Sequence, residues 1–99
     1  MNPKKNQNDD EFDEILFDLD EPVFTTGVVC RLLDIPVWIL KQLDKEEIVS
    51  PPREKEGAAR LYSQRELKMI KHCWYYINEH GVNIKGLKVI LRMEEGETP

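Results

Sequence analysis

Two cysteines, Cys30 and Cys73, are all the sulfhydryl chemistry that these 99 residues hold. They are too few for a disulfide framework. No CxxC or HxxxH spacing accompanies them, so both read as small buried hydrophobes and no metal site is expected. No apolar run approaches the roughly 20 residues that cross a bilayer. The opening stretch, MNPKKNQNDDEFDE, lacks the apolar centre of a secretion signal. The expected location is the cytoplasm, with no membrane partner. Catalytic constellations are missing as well. There is no glycine-rich phosphate loop and no Ser/His/Asp grouping, and His72 and His80 stand about two helical turns apart. The expectation is a protein that is not an enzyme and carries no cofactor.

Charge is present in quantity but unevenly. The formal net charge is −5. Residues 1–24 set Lys4 and Lys5 against eight acids, residues 25–93 set twelve Lys/Arg against eight acids, and the last six residues hold three glutamates. A mildly basic middle between acidic ends favours contact with nucleic acid. The expected organisation is an acidic arm over residues 1–21, disordered apart from a short amphipathic helix, then one folded domain over 22–94 and an acidic tail over 95–99. In the arm, Phe12, Ile15, Leu16 and Leu19 recur at i, i+3, i+4 and i+7, one face of a helix. That face either packs on the domain or docks in a partner's groove.

The domain reads as mainly α. Thr25 or Thr26 caps a first helix carrying Val28, Val29, Leu32 and Leu33. Asp34-Ile35 form a tight turn, and Pro36 suits the first position of a second helix with Trp38, Ile39, Leu40 and Leu43. Two short helices joined this way make a helix-turn-helix. Residues 48–52 leave in extended form, a charged tip centred on Gly57 follows, and Leu61-Tyr62 return, which together read as a hairpin or wing. Ser63 and Glu66 form a capping box for a third helix with Leu67, Ile70, Cys73, Trp74 and Ile77 on one stripe. Gly81 ends it. Asn83 caps a fourth helix, with Leu87, Ile90 and Leu91 inward and Lys85, Lys88 and Arg92 outward. The expected fold is thus a winged helix-turn-helix of four helices and a two-to-three-stranded β wing.

These pieces, in this order, resemble the N-terminal DNA-binding domain of the MerR family of regulators. Residues 23–29 are similar to the family's opening strand and first helix. Leu40-Lys41-Gln42-Leu43-Asp44 resembles its Leu-Arg-x-Tyr-(Asp/Glu) signature, Ile48-Val49-Ser50-Pro51 its Leu-(Leu/Val)-x-Pro exit, and Arg60-Leu61-Tyr62-Ser63 its Arg-x-Tyr-Ser segment. Residues 81–88 look closest to the heat-shock repressor branch. The resemblance implies transcription regulation through duplex DNA, with the second helix in the major groove and the wing on phosphates. It implies DNA contacts from Arg31, Val37, Trp38, Lys41, Arg53, Arg60, Tyr62 and Lys85.

The match is not uniform. Leu43 stands where the signature has tyrosine, and Glu47 where a glycine is expected. The front of the second helix, Pro36-Val37-Trp38-Ile39, lacks groups for bidentate base reading. Those residues either touch thymine methyls, pack against the protein itself, or form an exposed patch that binds a protein. The family's long dimerising helix and effector domain have no counterpart in these residues, so no small-molecule ligand is expected. A homodimer would need another surface, for which Trp74-Tyr75-Tyr76 is the candidate. A protein-interaction module on this fold is the competing reading. A third combines the two, with the acidic arm lying over the basic face until displaced.

Overall fold

In chain order the elements are strand β1 (Phe24–Thr25), helix α1 (Thr26–Leu33), helix α2 (Val37–Lys45), strand β2 (Leu61–Tyr62), helix α3 (Gln64–His80) and helix α4 (Ile84–Glu94). They come from a computed structural model that describes residues 18–52 and 59–96. Helices α1, α3 and α4 each begin where a side chain can satisfy an orphan amide. The Thr25 side chain accepts from the Val28 amide at 3.3 Å. Ser63 and Glu66 form the full reciprocal capping box on α3. Asn83 accepts from the Gly86 amide at 2.8 Å. At the other end of α3, Gly81 takes the left-handed conformation (φ 65°), and its amide returns to Ile77 and Tyr76 carbonyls.

The turn between α1 and α2 is built differently from a glycine turn. Asp34 is left-handed at φ 53° and closes α1, and the Ile35 amide reaches back to the Cys30 carbonyl at 3.1 Å. Pro36 precedes α2 as its cap rather than opening it. Its ψ of 143° is extended, and its carbonyl accepts from Ile39 and Leu40. Lacking a side-chain acceptor, it contributes only its fixed φ.

Packing follows the apolar periodicity. Ile39, Leu40 and Leu43 of α2 are buried together with Val29 of α1 and with Ile70 and Cys73 of α3. Leu87 of α4 completes this core, and Leu91 packs against it. Ile90, expected inward, is half-buried and lies outside this cluster, because Ile84, Leu87 and Leu91 already fill the inward stripe. Of the three consecutive aromatics, Trp74 and Tyr76 pack against the core and Tyr75 is 51% exposed, as 100° steps along a helix require. Cys73 is fully buried, and desolvation pushes its thiol up to about 11. It is a neutral packing group, not a nucleophile.

The wing departs from the expected hairpin. Leu61–Tyr62 pair antiparallel with Phe24–Thr25, in the register Phe24↔Tyr62 and Thr25↔Leu61. Residues 48–52 carry no strand among the described residues. Pro51 and Pro52 have no amide to donate, so this segment cannot extend a ladder. Side chains join it to the rest instead, as described below.

Polar ties fix the periphery. Lys88 bonds Glu46 at 2.7 Å, holding α4 to the end of α2. His72 and Tyr76 of α3 both reach Glu94 at 2.8 Å, holding the end of α4. Asp20 pairs with Arg65, whose amide donates to the Leu19 carbonyl at 3.0 Å. Leu19 is therefore in a turn and not on a continuing helix. Of the arm's apolar face it alone is described, 37% exposed. Phe12, Ile15 and Leu16 lie outside the described residues.

Glu47 sits where a glycine was expected, and its backbone shows why. Its φ is 59°, in the left-handed region. A β-carbon there costs about 1 kcal/mol. Glu47→Gly is therefore expected to stabilise the domain by about 0.5–1 kcal/mol, read as a rise of a few degrees in Tm. An unchanged or lower Tm would show that Glu47 makes a compensating contact.

Candidate nucleic-acid interface

Helix α2 has two sides. Ile39, Leu40 and Leu43 hold it to the core. Going round at 100° per residue, Val37, Lys41, Lys45, Trp38 and Gln42 occupy one continuous arc on the other side. Val37 is 47% and Trp38 65% exposed. Lys41 and Lys45 are exposed, and Gln42 is half-buried. Ile39, which the alternative of an exposed patch groups with Val37 and Trp38, is buried, since it falls a further 100° beyond Trp38. Trp38 borders a cavity of about 320 Å³ whose other walls include Gln42, Ile77, Val82 and Ile84. Helix α2 thus presents an apolar front and a cationic rear.

The other expected contacts separate into free and committed groups. Arg31, in the last turn of α1, is exposed, and so is Lys85, the second residue of α4. The amides at the start of α4 add a favourable dipole for an anion. Arg53 lies outside the described residues. Arg60 is engaged inside the protein. Its Nε donates to Asp44 Oδ2 at 2.9 Å, and its Nη1 donates to the Pro51 carbonyl. The side chains of Arg60 and Asp44 are only 22% and 16% exposed. Tyr62, expected to offer a hydroxyl to DNA, is a core residue at 2% exposure. Burial, and then the Asp44 carboxylate, push its hydroxyl above the usual tyrosine range, while a hydrogen bond with Thr26 acts the other way. A strand paired with β1 and backed by α1 leaves its ring no route to the surface.

Asp44 is the residue that spacing alone did not single out. Its Oδ1 accepts from Ser50 Oγ at 2.6 Å and its Oδ2 from Arg60 Nε. One carboxylate at the end of α2 thereby holds the outgoing and returning limbs of the wing. Its place at the end of the Leu-x-x-Leu-Asp segment was visible, but a contact across sixteen residues was not.

Among the described residues, no three His, Cys, Asp or Glu side chains gather to hold a metal ion, and no helix is long and apolar enough to cross a membrane.

Comparison with known proteins meets this geometry. The profile of the MerR HTH family of regulatory proteins matches residues 24–94. A heat shock protein, HspR, of Streptomyces coelicolor is 31% identical over 75 residues, covering 76% of this chain and 49% of its own length. The HTH-type transcriptional regulator GlnR of Bacillus anthracis, like that of Bacillus cereus, is 29% identical over 77 residues, covering 78% of this chain and 58% of its own length. The chain thus spans about half the length of the curated relatives it matches. The family match takes in the helix-turn-helix, the wing and α4 together, and the chain belongs to the MerR HTH family of regulatory proteins.

Proposed function

We propose that this protein binds duplex DNA as a bacterial transcription regulator in the cytoplasm, with α2 in the major groove and nearby cations on phosphates. The observation that carries this reading is the arc of α2. A recognition helix of a family of regulators turns Lys41 and Lys45 outward, and Arg31 and Lys85 are exposed on its neighbours. Arg60 contributes by fixing the wing, not as a free phosphate ligand. A non-catalytic role accords with relatives that are transcriptional regulators.

The test is a titration on duplex DNA at rising salt. Cations that replace condensed counterions make log K fall with log salt, with a slope of about −0.9 per phosphate neutralised. Lys41→Ala is expected to weaken binding across all sequences and to make that slope shallower by about one. No affinity for duplex at low salt sinks the proposal.

Val37 and Trp38 favour a second reading, a protein-interaction module that takes its partner on the front of α2 or through the amphipathic arm. It predicts a co-purifying protein lost on Trp38→Ala and no duplex binding. Homodimerisation, through exposed Tyr75, belongs to the same set of proposals and is read from the solution mass.

A further inference from the structure

Val37 and Trp38, at the front of α2, carry neither the donor pair that reads guanine nor an acceptor for cytosine, yet both are exposed. Resting on the DNA-binding reading, we propose that α2 recognises thymine by its methyl group, with Trp38 and Val37 against thymine C5-methyls and Gln42 on an adjacent adenine, so that its half-site is A·T-rich where the helix enters.

The argument runs through groove chemistry. The N-terminal residues of a recognition helix meet the base edges. Here those are Val37 and Trp38, both exposed. Among the four bases, thymine alone offers an apolar group in the major groove. Reading guanine O6 and N7 calls for a donor pair, and reading cytosine N4 calls for an acceptor. Neither Val37 nor Trp38 supplies these. One turn on from Trp38 stands Gln42, whose amide matches the N6 donor and N7 acceptor of adenine. Trp38 and Gln42 line the same cavity, so the methyl-reading and adenine-reading groups are neighbours. Lys41 and Lys45 adjoin them on the same arc and supply charge complementarity to phosphates. That complementarity selects a nucleic acid, not an apolar protein segment, as the occupant of this face.

The experiment selects sites from random duplexes with the full chain. Each thymine of the preferred site is then replaced by deoxyuridine, which removes only the methyl. Affinity is expected to fall about fourfold at one or two positions, the worth of one buried methyl. Trp38→Ala is expected to bind the thymine and uracil duplexes equally. Gln42→Ala is expected to lose about tenfold of the preference for adenine at the adjoining pair. Trp38 is exposed and Gln42 lies outside the core cluster, so the variants fold, and thermal unfolding checks this. Full affinity on every uracil duplex, or selection of G·C pairs where the helix enters, overturns the inference while leaving DNA binding intact. Failure to bind any duplex removes both.

Discussion

Tyr62→Ala is expected to remove about half of the domain's stability and to lower its Tm by about 12–40 °C. The ring is 2% exposed and sits where β2 meets β1 and the core. Removing a buried aromatic ring costs about 3–5 kcal/mol, because the cavity it leaves collapses only in part. A domain of this size holds about 5–10 kcal/mol in all. Tyr62→Phe separates packing from the hydroxyl. It keeps the ring and loses one hydrogen bond, at a cost of about 1 kcal/mol. Denaturant unfolding measures both variants. Because the hydroxyl faces Thr26 and not solvent, Tyr62→Phe is also expected to bind duplex DNA as tightly as the parent chain. A tenfold loss in a folded Tyr62→Phe would return this residue to the DNA surface.

Asp44→Ala is expected to cost about 2 kcal/mol of stability, and its effect should be almost inseparable from that of Arg60. The Asp44–Arg60 pair is well below a third exposed, so solvent screens it only partly. Removing the carboxylate strands a guanidinium whose remaining partner is the Pro51 carbonyl, and frees Ser50 as well. Charge-assisted hydrogen bonds of this kind carry about 1.5–3 kcal/mol each. The double variant Asp44→Ala, Arg60→Ala is expected to lose little more than either single one, with a coupling of about 1–2 kcal/mol. Additive losses would show that the pair does not act as a unit. The same variants locate the role of Arg60 in DNA binding. Asp44→Ala keeps the cation but releases the wing, so it is expected to weaken duplex binding about fivefold to tenfold, as Arg60→Ala does. Undiminished affinity would make Arg60 a direct phosphate ligand instead.

Local chemistry was legible in the sequence. The caps Thr25, Ser63–Glu66, Gly81 and Asn83 were readable because a cap is decided by residues within one turn. The four helices and most of their inward stripes followed from periodicity. What escaped was decided across the chain. A two-residue strand has no alternation to betray its buried face, so Tyr62 read as a donor at the surface. Strand β2 pairs with Phe24–Thr25 and not with residues 48–52, a pairing that no local pattern announces. The Asp44–Arg60 contact is likewise non-local. Within α2 the alternative of an exposed patch is one residue too wide. It takes in Ile39, which 100° per residue carries into the core beside Leu40 and Leu43.

Helices α1 and α2 are joined by only three residues, whereas Phe24 meets Tyr62 only after the whole helix-turn-helix has been traversed. Contacts between near neighbours form early, and those that close long stretches of chain form late. The helix-turn-helix can therefore begin to condense before the sheet closes, but a nine-residue helix does not persist alone in water. Helix α2 keeps its shape only inside the packed domain, so sheet and helices are expected to melt together in one cooperative transition.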